Sequence, residues 1–370
     1  MNVYITSSGR YLPGEPISNE SMEEYLGFVR GKPSVLRKKI LRSNGIKTRY
    51  YAIDKNQKTV ISNTEMAAKA AQKCIEGSYV APKKISMLSC ATSQGDYVLP
   101  GFGSMVQAEL RLSSVELQTS HGICSASMMA LKSAYTSIKC GDNENALVVA
   151  SELASRLFKA SRFEALENSG KLDFNAEFLR WMLSDGAGAL MLEKVPRKTC
   201  FRIDWVRCFS HADLYPVCMS VGTSGEEGQY ETWQDYPTYS DAEKDGAILI
   251  RQNVRLLDRI VKLGVDGYLR LIDSGDLQVE EIDYVLCHFS SKYFKGKIFE
   301  FLEKSGSMIS EEKWYTNLYE RGNTGCASIF IMLDEFMRTK KLEVGQQVIC
   351  MVPESGRFNT AYMKLTVVEE

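Results

Sequence analysis

The sequence has 370 residues, which is long enough for two domains of ordinary size. Apolar residues make up 44% and charged residues 25% of the chain, so its composition is that of a folded globular protein and excludes global disorder. The 45 Lys and Arg residues against 46 Asp and Glu residues give a net charge of −1, so nucleic acid is not expected as a partner. No run of 18 apolar residues occurs and the first residues lack a secretory pattern, so we expect a cytoplasmic protein without a membrane span.

The ten cysteines lack the spacing of a disulfide framework or a zinc site. Cys90, Cys287 and Cys350 lie inside apolar runs, where a free cysteine behaves as a small hydrophobic residue. The sequence contains no C-x-x-C pair and three histidines. We therefore expect reduced cysteines, which suits the cytoplasm, and no metal.

Apolar runs and helical stretches alternate along the chain. The runs that predict buried strands are at residues 85–90, 146–150, 282–287 and 347–352. The stretches that predict helices are at residues 124–139, 251–273 and 326–338. This alternation indicates an α/β fold in which helices cover a sheet.

Three landmarks recur in the second half of the chain in the same order. The segment 85–93 matches 282–290 at an offset of 197 residues. Ala126-Ser127 matches Ala327-Ser328, and the strand that starts at Ala146 matches the one at Gln347, both at an offset of 201. The nearly constant offset predicts two copies of one α/β unit. The polar segment 211–246 lies between the copies, and it is either a surface excursion or a wall of a substrate channel.

Three chemically suited residues lie at predicted strand ends or helix starts. Cys124 opens a helix, where the helix dipole favours the thiolate and lowers the thiol pKa, so it is either a nucleophile or a buried structural cysteine. His288 ends a strand, and Ser290 is the expected N-cap of the next helix. Asn323 lies in a Gly-Asn-Thr-Gly turn, where it either serves the turn itself or donates its amide to an oxyanion.

These residues and their neighbours form a pattern that runs nearly end to end. The motifs are Asn44-Gly45-Ile46-Lys47-Thr48-Arg49, Leu99-Pro100-Gly101-Phe102, Cys124-Ser125-Ala126, Ser184-Asp185-Gly186-Ala187-Gly188-Ala189, His288 and Gly322-Asn323-Thr324-Gly325. The pattern resembles the β-ketoacyl-acyl-carrier-protein synthase III-like enzymes of the thiolase superfamily. This resemblance implies a duplicated five-layer αβαβα fold. Residues 1–195 would form the half with the nucleophile, and residues 196–370 the half with His, Asn and the insertion near 211–246.

The resemblance also implies a mechanism. Cys124 would take an acyl group from a carrier thioester, while its own N–H and one near Ser355-Gly356 hold the oxyanion. His288, neutral and donating, and Asn323 would then bind the thioester carbonyl of a second substrate, whose enolate attacks acyl-Cys124 and forms a carbon–carbon bond. The implied partners are acyl-carrier-protein thioesters or coenzyme A thioesters, with no cofactor.

Departures from the family pattern narrow the expectation. The Arg and Trp that hold coenzyme A are not evident near residues 39–43, which favours a carrier-bound substrate. The segments 288–291, 353–358 and 178–186 resemble the ketosynthases of dialkylresorcinol and flexirubin-type aryl-lipid pathways. There the second thioester carries a 3-oxo group, so no CO₂ has to leave and Glu354 is a possible base for the α-proton; its alternative role is to cap its turn.

Several other functions share parts of this pattern. The strongest alternative is an acyltransferase in which an O or N nucleophile intercepts acyl-Cys124, and a fatty-acid-initiating synthase III is a further one. A degradative thiolase would need a second cysteine in the C-terminal loop, and the sequence has none there. Family members are usually homodimers in which a loop reaches the partner's acyl pocket, and Leu99 is the candidate pocket residue in that loop.

Overall fold

The computed structural model describes residues 1–168, 170, 172–224 and 231–370. Its strands are β1 (Tyr4–Tyr11), β2 (Ile17–Ser18), β3 (Thr48–Arg49), β4 (Met87–Thr92), β5 (Glu116–His121), β6 (Asn145–Glu152), β7 (Gly186–Glu193), β8 (Cys200–Ser210), β9 (Met219–Ser220), β10 (Arg251–Gln252), β11 (Ile282–Cys287), β12 (Trp314–Tyr315), β13 (Gln347–Glu354) and β14 (Asn359–Val368).

The α-helices are α1 (Met22–Leu26), α2 (Arg37–Asn44), α3 (Asn63–Glu76), α4 (Phe102–Leu110), α5 (Ala126–Cys140), α6 (Ala160–Asn168), α7 (Phe174–Glu177), α8 (Tyr239–Lys244), α9 (Leu257–Asp273), α10 (Lys292–Lys304), α11 (Leu318–Arg321) and α12 (Ser328–Thr339). In the described part of the chain no helix combines the length and the apolar character that a membrane crossing requires.

Ten strands form one sheet in the order β12-β11-β13-β14-β8-β1-β7-β6-β4-β5. Its two halves meet where β1 pairs with β8 over two residue pairs, Tyr4 with Arg202 and Ile5 with Phe201. From this seam the same order and the same pattern of parallel and antiparallel neighbours run outward on both sides. The duplicated fold predicted from the sequence is therefore confirmed.

Strand register measures the repeat directly. Met87 of β4 faces Ala146 of β6, and in the second half Tyr284 of β11 faces Val348 of β13. With the predicted offset of 197 residues for the first strand, this register places the second strand at an offset of 202 residues (348 − 146) rather than the predicted 201. A difference of one residue matters, because it exchanges the two faces of a strand.

Two helices occupy the middle of the molecule. In α5 small residues such as Ala126, Ala130 and Ala134 are buried, and in α12 every residue from Ser328 to Phe336 is buried. Helix α5 packs against β4, β6 and β8, and α12 packs against β7, β1 and β11, so each helix contacts strands of both halves and lies between them. Helices α3 and α4 cover the outer face of one half, and α9 and α10 that of the other, which gives five layers.

Close backbone approach fixes α12 against the sheet. A Cβ atom added at Gly188 of β7 would lie 2.6 Å from the Cβ of Phe330, so the position requires glycine. Helix α3 packs on the same strands as α12, and Ser62 and Glu65 form a capping box at its start. These local features set the distance and direction at which each helix meets the sheet.

Two predicted boundaries move in the structure. Helix α9 begins at Leu257 rather than residue 251, because residues 251–252 pair with β9 as strand β10 and the Asn253 side chain caps a short turn. The N-cap of α10 is Ser291, whose hydroxyl accepts from the Tyr293 N–H at 3.2 Å, and not Ser290. Ser290 has a φ of 55°, which places it in the left-handed region.

All ten cysteines lie in the described residues and are free thiols. Most are buried in the layers; Cys208 is partly exposed, and Cys140, at the end of α5, is exposed.

Candidate active site

The candidate residues meet at the carboxyl ends of the parallel strands. Strand β5 ends three residues before Cys124, and β11 ends immediately before His288. Crevices at this edge are the usual ligand sites of α/β sheets, because loops from several strands converge there. Here the crevice is shared by both halves, since Cys124 comes from the first and Asn323 from the second.

A cavity of about 460 Å³ lies at this edge. Its polar end is formed by Cys124 with residues of the surrounding turns, and the remainder is mostly apolar. The polar lining includes Ser93, His121, Cys124, Glu152, Asn323 and Ser355; the apolar lining includes Phe178, Leu179, Met182, Leu257, Ile260, Val261, Phe289, Phe294 and Ile298. A cavity of this composition suits a hydrocarbon chain attached to a reactive carbonyl group.

Cys124 is 6% exposed and precedes α5 by two residues. Burial raises the pKa of its thiol well above the ordinary value, and the carboxylates of Glu354 and Glu152 raise it further. The expected lowering by the helix dipole is therefore wrong: burial and two nearby negative charges outweigh it. The resting residue is a thiol, and its attack on a substrate requires transfer of the thiol proton.

Glu354 fixes the turn that carries Cys124. Its Oε2 accepts hydrogen bonds from the Ile123 N–H at 3.2 Å, the Ser125 N–H at 2.9 Å and the Ser125 hydroxyl at 2.7 Å. Its Oε1 accepts from the side-chain amide of Asn359 at 2.8 Å. Both carboxylate oxygens are thus held by donors, and the two backbone N–H groups that flank Cys124 are fixed from the opposite half of the molecule.

His288 is 3% exposed, and its backbone N–H donates to the carbonyl of Met351 on the neighbouring strand at 2.9 Å. Burial lowers the pKa of the imidazole to about 4, so the ring is neutral at pH 7. Among the described residues its Nε2 has no hydrogen-bond partner. Its neighbours Cys287, Phe289 and Ser290 line the cavity. A neutral ring with an uncommitted nitrogen is suited to bind a substrate oxygen or to receive a proton.

The Asn323 turn is tied to the first half of the chain. The Asn323 carbonyl accepts from the Ser184 N–H at 2.8 Å, and its own N–H donates to the Met182 carbonyl at 3.3 Å. Its Oδ1 accepts from the Gly325 N–H at 3.0 Å, which fixes the orientation of the side-chain amide. The amide carbonyl is therefore occupied within the turn, and Asn323 can serve a substrate as a donor.

Comparisons with known proteins agree with this geometry. Residues 272–357, which include His288 and Asn323, match the family described as 3-Oxoacyl-[acyl-carrier-protein (ACP)] synthase III C terminal. The beta-ketoacyl-[acyl-carrier-protein] synthase III of Clostridium acetobutylicum is 25% identical over 350 residues, 94% of each chain. The chain is therefore similar to synthase III enzymes over nearly its whole length, and its segment 272–357 matches the C-terminal part of that family.

Solved structures share the fold over the whole chain. The 3-oxoacyl-[acyl-carrier-protein] synthase III from Aquifex aeolicus matches with a TM-score of 0.74 and 21% identity over 98% of this synthase III-like chain and 99% of that chain. A variant of Xanthomonas campestris OleA, with bound lauric acid and lauroyl-CoA, matches with a TM-score of 0.77 and 20% identity over 99% of each chain.

The loop expected to contribute to the oxyanion hole lies beside Cys124. Ser355 lines the cavity, and its hydroxyl donates to Oε1 of Gln252 at 3.3 Å. The Gly356 carbonyl accepts from the N–H groups of Cys218 and Met219, at 2.9 and 3.2 Å. A Cβ atom added at Gly356 would lie 2.8 Å from Cδ1 of Ile123, so a larger residue there would have to displace the Ile123 side chain beside Cys124.

Leu99 does not lie in the cavity of its own chain. It is 82% exposed, and its neighbours Tyr97 and Val98 are exposed as well. Within a single chain the apolar wall is instead made by residues around 178–183 and by α9 and α10. Met219, Ser220 and Val221, from the segment 211–246, also line the cavity.

Sequence reasoning missed Glu152 and Ser93. Glu152 ends β6, is 4% exposed and lines the cavity. Burial raises the pKa of its carboxyl group, while hydrogen bonds from Ser93 and Cys326 oppose the rise. The repeat carries the signal only at the corrected offset: Glu152 lies 202 positions before Glu354, whereas the predicted offset of 201 pairs Glu152 with Pro353. In the described residues no cluster of His, Cys, Asp and Glu could hold a metal ion.

Proposed function

We propose that this synthase III-like chain is a condensing enzyme that joins two acyl thioesters through an acyl-Cys124 intermediate. The observation that carries the proposal is the placement of Cys124 at the polar end of a 460 Å³ apolar cavity that Asn323 also lines, with the neutral His288 buried beside that cavity. A nucleophile at the polar end of an apolar cavity is suited to hold an acyl chain while its carbonyl carbon reacts.

In the first half-reaction, sulfur of Cys124 attacks the thioester carbon and the carrier thiolate departs. Because the pKa of Cys124 is raised, its proton has to leave during attack, and the proton ends on the departing thiol. His288, neutral at pH 7, is the group with an uncommitted nitrogen to relay it. The Cys124 N–H and one from Ser355 or Gly356 bind the oxyanion.

In the second half-reaction, His288 and Asn323 bind the thioester oxygen of the second substrate. Its enolate arises either by loss of CO₂ from a malonyl group or, for a 3-oxoacyl group, by transfer of the α-proton to the neutral imidazole of His288, with Asn323 then the donor to the thioester oxygen. In the 3-oxoacyl case this proton ends on the sulfur of Cys124 as it departs. The enolate carbon attacks the acyl carbon, the new carbon–carbon bond forms, and sulfur of Cys124 leaves. We propose the 3-oxoacyl case, as in aryl-lipid pathways of the dialkylresorcinol and flexirubin type, with acyl-carrier-protein thioesters as substrates.

The role of Glu354 follows from its contacts. Both oxygens accept hydrogen bonds, three of them from the turn of Cys124. These contacts support the capping interpretation over that of a base, because a base would have to release donors from Oε2 in every turnover. Glu354→Gln distinguishes the cap from the base, because glutamine keeps one acceptor oxygen for the Cys124 turn and lacks the basicity of the carboxylate.

We also propose a homodimer. Strand β5 is an edge strand with partly exposed residues, and the loop that carries Leu99 presents exposed apolar side chains. Pairing of two β5 edges would cover both features and bring Leu99 toward the acyl cavity of the other copy. Sedimentation of the wild type beside Leu99→Glu tests this arrangement; a monomer in both cases would contradict it.

The function is tested by intact-protein mass after incubation with acyl and 3-oxoacyl carrier-protein thioesters, for wild type and Cys124→Ala. An adduct in the wild type alone establishes covalent transfer, and its mass identifies the preferred donor. Product connectivity then distinguishes carbon–carbon bond formation from acyl transfer to oxygen or nitrogen. Absence of an adduct with every thioester would contradict the condensing mechanism and favour a non-catalytic partner subunit.

A further inference from the structure

Two glutamates occupy corresponding places in the two halves. Glu152 ends β6 and Glu354 ends β13, and each is 4% exposed. Each carboxylate crosses to the other half. Glu354 accepts from the N–H groups at the start of α5, and Glu152 accepts from the Cys326 N–H, at 3.3 Å, just before α12. The contacts are therefore reciprocal: each half holds the turn that precedes the central helix of the other.

Glu152 is also held from its own half. Its Oε1 accepts from the Ser93 N–H at 3.1 Å, and its Oε2 accepts from the Ser93 hydroxyl at 2.5 Å. These bonds leave the carboxylate little freedom, because both oxygens and the rotamer are fixed. Because Glu152 is fixed at the ends of β4 and β6 and also bonds to the Cys326 turn, these two strands set the position of that turn.

The contact of Glu152 lies close to Asn323. Gly325, with a φ of 53°, packs on the glutamate, so that an added Cβ would lie 2.9 Å from the Glu152 Cγ. The N–H of this same Gly325 holds Oδ1 of Asn323. Displacement of Gly325, which packs on Glu152, would therefore shift the Asn323 amide, because the Gly325 N–H is the donor that holds its Oδ1.

We propose that Glu152 is a positioning residue for Asn323. It holds the Asn323 turn as Glu354 holds the Cys124 turn. Its role is to hold the Asn323 amide in the orientation in which it donates to the second thioester. This proposal rests on the function proposed above. It predicts that loss of Glu152 impairs the condensation half-reaction more than the acylation of Cys124, because the Cys124 turn is held by Glu354.

The experiment measures the two half-reactions separately. Octanoyl-N-acetylcysteamine acylates Cys124, followed by intact mass, and the acylated enzyme then reacts in a single turnover with malonyl- or 3-oxooctanoyl-N-acetylcysteamine. In Glu152→Ala we expect condensation to fall about tenfold to hundredfold more than acylation, because small misplacement of a catalytic donor has effects of this size. Glu152→Gln keeps an acceptor for Cys326 and should restore condensation to within about threefold of wild type.

Two further variants complete the design. Glu152→Asp retains the charge but is shorter, and should behave like Glu152→Ala; it replaces that variant if alanine prevents folding. Glu193→Ala removes a buried carboxylate from the same sheet, far along β7, and should leave the ratio of the two half-reactions at its wild-type value. Equal losses in both half-reactions, or failure of Glu152→Gln to restore condensation, would overturn the proposal.

A readout independent of activity separates this proposal from the proposed function. Amide hydrogen exchange of the segment 323–327 should be about tenfold faster in Glu152→Ala than in wild type, and unchanged in Glu152→Gln. A wild-type enzyme that forms no acyl adduct would refute the proposed function while the exchange result still stands. Unchanged exchange in Glu152→Ala would refute the positioning role even in an active enzyme.

Discussion

The two halves of the molecule build the same turn and use it differently. Cys124 precedes α5 by two residues, and Cys326 precedes α12 by two residues. Cys124 lines the cavity, whereas Cys326 is 0% exposed and its Sγ lies 3.6 Å from the Ala91 carbonyl and 3.9 Å from that of Ser151. The same local backbone therefore supports our proposal of a nucleophile only at Cys124, because access to the cavity distinguishes it from Cys326.

The largest expected effect is the loss of the proposed nucleophile, Cys124. Cys124→Ala should form no acyl adduct above background in intact-mass measurements, because Cys326 is sealed from the cavity and cannot replace it. If Cys124→Ala formed as much acyl adduct as the wild type, with the acyl group mapped to Cys326, the two turns would not differ in access to the substrate.

The next effect concerns the residues three positions before each cysteine, His121 and Asn323, which both line the cavity. Asn323→Ala should slow single-turnover condensation by about 10²- to 10³-fold, the usual result of removing a donor from a developing oxyanion. His121→Ala is the matched control and should slow it less than about tenfold. Comparable losses in both variants would show that the two turns contribute alike.

The buried imidazole predicts a pH dependence of stability. The pKa of His288 is about 4 in the fold against 6.5 as its ordinary value, so folding disfavours its protonated form. Its contribution to the unfolding free energy is fully present above pH 6.5 and is lost as the pH falls toward 4, by about 3 kcal/mol. Urea unfolding of wild type and His288→Gln across this range measures it; identical pH profiles would contradict the assignment.

The smallest expected effect is that of replacing Cys326, which does not line the cavity. Cys326→Ala removes a thiol whose Sγ contacts the Ala91 carbonyl but keeps the backbone N–H that donates to Glu152, so acylation of Cys124 should change less than about threefold. The unfolding free energy should fall by about 1 kcal/mol, as for other small deletions in a core. Loss of the adduct in this variant would mean that the sealed cysteine takes part in the chemistry.

Much of the arrangement could be predicted from the sequence. Periodicity and turn residues predicted the strand and helix order, and the repeat predicted the duplicated sheet that the structure contains. The positions of Cys124 after a strand and of Asn323 before a helix followed from the same pattern, and the structure brings them to one cavity.

The remainder depends on contacts between distant segments. The pKa of Cys124 is set by burial and by two carboxylates that come from β6 and β13, and a dipole argument on one helix cannot include them. The partnership of Glu152 with Cys326 joins residues 174 positions apart. The N-cap at Ser291 differs from the expected one by a single residue, a difference that depends on the left-handed backbone of Ser290.

The exposed thiol of Cys140, at the C-terminal end of α5, offers a labelling site at a defined distance from Cys124. Cys140 is exposed and Cys124 is buried, so a bulky maleimide dye will modify Cys140 first. The 15 residues of α5 span about 22 Å, at 1.5 Å per residue. A dye at Cys140 is therefore at a known distance, within energy-transfer range, from a fluorescent acyl chain carried on Cys124, and loading and discharge of the enzyme can be followed in real time in single molecules.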